Sequence, residues 1–238
     1  MPRPWTDLTS PDDAMELIRA WQRESRTPSV IVEADPRQGR RVLERLQVST
    51  RSPLGAVALH SGGIVIDDGW LRVLGSGSTV IPRALDEWNG LTDRRRCVAG
   101  LLVADDVLGG FFCWFENPRT IHYLAPDTLA WEDLQLGYAD WLHWCFGERL
   151  ADFYGDFRWE GRREEVRALP GDRALHVWPP LFAKGPAIGA CSRKAVPVEE
   201  LWSLMLDYRE RLRDVEDGAE ICVSFDETTE LIGEEEDA

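Results

Sequence analysis

Apolar residues recur at two different spacings along this chain, and the switches between them mark its elements. In SPDDAMELIRAWQRE, Met15, Ile18 and Trp21 with Leu17 fall at helical intervals. Ser10 fits an N-cap, Pro11 the first helical position and Asp13 a capping box, so the pattern predicts a helix from there. SVIVEA, Ser29 to Ala34, reads as a short strand. Asp35-Pro36 then caps a second helix through about Leu46, with Val42, Leu43 and Leu46 inward and its arginines facing water. In TRSPLGAVALHSGG the Ser52-Pro53 step predicts extended or turning backbone.

Two β-rich runs follow, Gly62 to Ile66 and Trp70 to Leu74, with Asp67-Asp68-Gly69 between them. Asp-Gly at that place signals a hairpin, because glycine accepts positive φ without steric cost. Gly75-Ser76-Gly77 ends the second run as a flexible connection to a short turn or helix, PRALDEWN. A phosphate loop would continue to Gly-Lys-Ser/Thr and open a helix, whereas this chain continues STVIPRAL. A dinucleotide fingerprint fails at Val80, where its third glycine belongs.

The segments Cys97 to Asp106, Gly109 to Glu116 and Thr120 to Pro126 read as strands joined by the tight turns DVLG and NPR. Short strands in succession predict an antiparallel meander, with Phe112, Trp114 and Ile121 on one face. After Asp127 the period becomes helical: Tyr138, Trp141, Leu142 and Cys145, then Leu150, Phe153, Tyr154 and Phe157, with a break at Gly147. ALHVWPP (Ala174 to Pro180) is a further strand, followed by a Gly/Pro-rich loop. The last helix is PVEELWSLMLDYRERLR, with Leu201, Leu204, Met205, Tyr208 and Leu212 on one side. Glu220 to Phe225 is a candidate edge strand. The pattern predicts an α+β fold, a central and mainly antiparallel sheet flanked by helices. It predicts one globular domain over residues 1–213 and a partly disordered acidic extension over 214–238.

Charge changes the picture at that extension. From Asp214 to Ala238 there are eleven acidic residues and no Lys or Arg, so most of the net charge of −15 lies there; the other 213 residues carry 31 acidic against 27 basic. That balance argues against a nucleic-acid binder, which needs a cationic surface to replace counterions. An acidic tail that is more than a solvated end would attract a basic protein partner and speed encounter. No run approaches the roughly 20 apolar residues of a membrane span, and MPRPWTDLTSPDD lacks the apolar stretch of a signal peptide. The five cysteines, Cys97, Cys113, Cys145, Cys191 and Cys222, are dispersed and form no CxxC pair. They read as free thiols in the cytoplasm rather than as disulfides or a zinc knuckle.

Catalytic patterns are missing. The histidines His60, His122, His143 and His176 show no metal spacing, there is no GxSxG elbow, and no cofactor or metal is implied. The acid doublets Asp67-Asp68 and Asp105-Asp106 could converge on one rim for acid–base work, although strand-end turns are rich in Asp for structural reasons.

The blocks TRSPLGAVALHSGGIVIDDGWLRVLGSGSTVIPRALDEWN, LLVADDVLGGFFCWF, HYLAPDTLAWEDLQLGYADWLHWCF and LADFYGDFRWEG resemble a bacterial family of uncharacterised proteins, a domain of unknown function. The chain departs from that pattern at Asp68 and Arg162. More distantly, the order of helix, strand-rich centre, meander and GYxxFLxW-type helix is similar in layout to the SUKH superfamily, which includes bacterial immunity proteins. The resemblance implies an α+β sheet flanked by helices and supplies no catalytic residues. Positions in these blocks that could line a pocket or meet a partner are Trp70, Arg72, Arg83, Trp88, Tyr138 and Trp159. The leading expectation is a non-catalytic protein-binding module, in particular an immunity-type inhibitor of a basic toxin. The alternative is a small-molecule or carbohydrate binder, or an unrecognised enzyme, using a pocket near Arg72 and Arg83.

Overall fold

Seven strands follow one another in space as they do in sequence, each antiparallel to the next. They are β1 (Ser29–Glu33), β2 (Ser61–Ile66), β3 (Leu71–Leu74), β4 (Gly100–Asp106), β5 (Phe111–Phe115), β6 (Ile121–Leu124) and β7 (Trp131–Asp133). The structure is a computed structural model and describes residues 2–91, 100–216 and 219–223. A two-stranded sheet, β8 (Arg173–Trp178) with β9 (Ser192–Pro197), completes the β-structure. Nine α-helices are described: α1 (Trp5–Leu8), α2 (Met15–Glu24), α3 (Pro36–Leu46), α4 (Pro53–His60), α5 (Leu85–Trp88), α6 (Tyr138–Cys145), α7 (Arg149–Phe153), α8 (Arg162–Arg167) and α9 (Val198–Arg211). The fold is α+β, as the pattern of periods predicts.

Side-chain alternation in the sheet separates two apolar clusters. Phe112, Trp114 and Ile121 face the larger one, with Trp141, Leu142 and Cys145 of α6 and Leu54 to Ala58 of α4. Phe111, Cys113 and Leu124 face the smaller one, closed by Leu201, Trp202 and Met205 of α9. The ring of Phe111 meets that of Trp202 edge-on at 4.8 Å, a favoured aromatic geometry. β4 is buried along its whole length, since it lies mid-sheet with apolar groups against both faces.

The Asp-Gly hairpin forms as expected, with Gly63 to Ile66 opposite Leu74 to Leu71. Its turn is closed by the Trp70 amide donating to Asp67 O at 3.0 Å, and Asp67, Asp68 and Gly69 all have positive φ, at 52, 61 and 103°. Asp tolerates that region better than most side chains. The Gly75-Ser76-Gly77 connection is firmly bonded rather than loose: the Ser76 amide donates to Ser61 O at 2.8 Å and its hydroxyl to the same oxygen at 3.0 Å, while Gly75 O accepts from Leu85 N at 2.8 Å.

Several local expectations need correction. α2 starts at Met15, not near Pro11: Asp13 accepts from the Met15 amide at 2.8 Å, while Ser10 accepts only from Asp12 at 3.2 Å. Leu17 points outward, 49% exposed. The segment after Ser52 is helix α4 rather than extended chain; Ser52 Oγ caps it by accepting from Gly55 N at 3.2 Å, and Pro53 opens it. In α3 the cap is as expected, with Asp35 accepting from Arg37 and Gln38. Two of its arginines, however, turn to a buried carboxylate instead of water, Arg45 at 2.5 Å and Arg41 at 3.3 Å from Asp86. The Gly/Pro-rich stretch after Pro180 ends in strand β9, and β7 precedes the helical region. Glu220 to Val223 form no strand; Ile221 O accepts from Lys184 N at 2.8 Å. Cys97 to Ala99, Ser224 and Phe225 lie outside the described residues.

Candidate binding site

Arg72 and Asp105 stand opposite each other on β3 and β4, and both are buried. A buried charge needs a partner, and here two cations share one anion. Arg72 Nη2 lies 2.5 Å from Asp105 Oδ1 and Arg83 Nη2 donates to Asp105 Oδ2 at 2.5 Å. The remaining donors tie distant chain together: Arg72 Nη1 to Arg173 O, Arg72 Nη2 to Asp106 O at 3.3 Å, and Arg83 Nη1 to Gly171 O at 2.5 Å. Burial holds the Arg72 guanidinium below its ordinary pKa, and Asp105 opposes that fall. The triad therefore fastens β3, β4 and the Pro82–Ala84 segment to the entrance of β8.

Asp106, the next residue, points elsewhere. Its Oδ1 accepts from the Leu108 and Gly110 amides at 2.8 and 2.9 Å, and its Oδ2 from the hydroxyls of Tyr123 and Tyr154 at 2.7 and 3.0 Å. Desolvation raises its pKa against the pull of those four donors. The other doublet also has partners. Asp67 meets Arg158 at 2.5 Å and Asp68 meets Arg167 at 2.8 Å, which attaches the region of α8 to the hairpin. The doublets thus form separate clusters, each occupied by arginine, tyrosine or backbone amides, and share no rim.

Of the six residues singled out by sequence, Arg72, Arg83 and Trp88 come together. The Arg83 guanidinium lies 5.4 Å from the centre of the Trp88 ring. Trp70 and Trp159 form a second group, ring centres 5.5 Å apart, both buried. Arg158 lies 4.2 Å from the Trp70 ring and Arg193 4.5 Å from the Trp159 ring. Tyr138 stands apart, buried on α6 at 5.6 Å from Trp141, where burial pushes its hydroxyl pKa upward.

Arg83 and Trp88 of the first group reach a concavity. A groove of about 430 Å³ runs between α5 and α9, lined by Arg83, Glu87, Trp88, Asn89, Glu199 and Trp202 among others. Arg72, Asp105 and Asp106 are not on its wall, so a pocket combining both arginines with the acid doublets is not formed. Asn89 is locked into the fold: its amide donates to Leu85 O and Leu102 O, and its Oδ1 accepts from Leu102 N. Glu199 and Trp202 were invisible to motif reading. Their three-residue spacing puts them on one helix face, but no sequence pattern joins that face to Trp88, over a hundred residues earlier. Among the described residues no group of three or more His, Cys, Asp or Glu could hold a metal ion, and no helix is long and apolar enough to cross a membrane.

Comparison with known proteins places the chain among uncharacterised bacterial relatives. An Escherichia coli K12 protein described as putative uncharacterized protein YbfG is 33% identical over 208 residues, spanning 85% of this chain and 95% of its own length. An uncharacterized protein of Haemophilus influenzae Rd is 34% identical over 183 residues, 73% of this chain and 80% of that one. No solved structure matches the chain at a significant level, and the SUKH-like layout finds no counterpart in these matches. Residues 6–201 match the family described as "Protein of unknown function DUF2625", and the chain belongs to that family.

Proposed function

We propose that the protein is a non-catalytic binding module whose partner is a basic protein. The observation that carries this reading is the occupancy of the buried ionisable groups. Asp86, Arg72, Asp105 and Asp106 all have partners within the fold, whereas a catalytic acid or base must be open to substrate. The excess of acid lies outside this interior, in a chain of net charge −15. Surface charge of one sign steers oppositely charged partners. Cys113, Cys145, Cys191 and Cys222 are all unpaired, which supports action in a reducing compartment such as the cytoplasm. The SUKH-like order of elements favours an immunity-type inhibitor of a basic toxin within this class.

The test is a pull-down from the source organism with the purified protein at low ionic strength. A partner of high isoelectric point, released as salt screens the contact, is the expected result. Recovery of only neutral or acidic proteins, or retention indifferent to salt, overturns the proposal. The inhibitor reading further requires that an equimolar amount of this protein suppress the partner's activity.

A further inference from the structure

The groove between α5 and α9 has a definite chemical bias once its polar atoms are accounted for. On its walls, Arg83, Asn89 and Ser203 have their terminal donors engaged. Arg83 gives both terminal nitrogens to Asp105 and Gly171 O, Asn89 gives its amide to two carbonyls, and the Ser203 hydroxyl donates to Glu199 O at 2.9 Å. Its acceptors are not all engaged. Glu199 makes no side-chain hydrogen bond or ion pair among the described residues, and Glu87 meets only Arg41, at 2.9 Å. Both carboxylates are exposed, and they stand beside the indoles of Trp88 and Trp202. Carboxylate next to an aromatic surface is the arrangement that recognises an ammonium or guanidinium group.

We propose that this groove receives a lysine or arginine side chain of a basic partner protein, its charge meeting Glu199 and Glu87 and its aliphatic stem lying along Trp88 and Trp202. The inference rests on the binding-module reading and gives it a place on the molecule. A volume of about 430 Å³ accommodates one long side chain with its flanking backbone. Trp202 is held by Phe111 at 4.8 Å, so one aromatic wall is preorganised.

The probe is a fluorescein-labelled nona-arginine peptide, compared with the same peptide carrying citrulline, which keeps the shape and lacks the charge. Anisotropy titration of the full chain should show binding of the arginine peptide and little of the citrulline one. Glu199→Gln should weaken it roughly threefold or more, the scale of one exposed charge contact. Glu199→Gln with Trp88→Leu should weaken it roughly tenfold or more, while Glu210→Gln, an equal charge change at the other end of α9, leaves it within a factor of two or so. Unchanged melting temperatures of the variants exclude misfolding. Binding that survives the double variant but falls with any acidic substitution means that the whole surface and not the groove is responsible. That outcome sinks the site and spares the function. No binding of either peptide sinks both, and equal binding of both peptides shows a neutral-ligand groove and overturns the proposal.

Discussion

Two arginines on one buried aspartate make Asp105 the residue whose loss the fold should feel most. In Asp105→Asn the guanidiniums of Arg72 and Arg83, with 3% and 9% of their side chains exposed, keep their charge without an anion. Breaking a buried pair in this way costs about 3–5 kcal/mol, so the denaturation midpoint should fall sharply; a loss under about 1 kcal/mol would show the triad to be dispensable. Asp106 predicts a different signature. Its folded pKa is raised above the ordinary 3.8, with desolvation the largest cause, so its neutral form favours the native state. That contribution is complete below the unfolded value and disappears as pH rises through the folded one. Asp106→Asn keeps Oδ1 for the Leu108 and Gly110 amides and offers its amide to Tyr123 and Tyr154. Wild type should therefore lose stability relative to this variant as pH climbs from about 4, measured by urea unfolding at a series of pH values. A constant difference would contradict it. At this scale the sequence was partly legible. Arg72 and Arg83 stand out as cations in apolar context, and they do converge. Their anion was hidden, because an Asp at a strand end looks like turn chemistry until the β3–β4 register puts it opposite Arg72.

Elements were legible where one face is apolar and the other polar. The hairpin, the meander and α9 follow directly from period and turn residues. Helix α4 does not, because PLGAVALH is apolar all round and five of its eight residues are buried; a helix enclosed by protein has no polar face to reveal its period. β9, SRKAVP, is mostly exposed or half-buried and carries too little apolar alternation to announce a strand. Buried helices also need close approach, and α3 meets α4 through Gly39. A Cβ there would lie 2.1 Å from Leu59 O, and that oxygen belongs to backbone that cannot rotate away. Gly39→Ala should force the two helices apart and cost about 1–3 kcal/mol or more, lowering the melting temperature. Gly155→Ala, where an added methyl meets nothing within 4 Å, should stay within about 0.5 kcal/mol of wild type. Equal effects of the two substitutions would remove the packing argument.

Over the whole molecule, charge and fold are separable. Seven acidic residues follow Val223, and among the described residues the extension is tied to the body by Glu220 to Lys184 at 2.7 Å and by Ile221 O, which accepts from the Lys184 amide. A chain ending at Val223 therefore keeps those contacts and takes the net charge from −15 to −8. Long-range charge acts on encounter, while contacts made on docking govern escape. The shortened chain should associate with nona-arginine more slowly, roughly threefold to tenfold at low salt, with its dissociation rate and melting temperature nearly unchanged. The gap should close as ionic strength rises and the screening length falls below about 10 Å. Glu199→Gln predicts the reverse pattern, faster dissociation with association nearly intact, because Glu199 lies where the side chain rests rather than along its approach. Stopped-flow traces of the two variants and their combination distinguish these roles. If the truncation changed the dissociation rate instead, the acidic residues beyond Val223 would be part of the binding surface itself, and steering would not be their role.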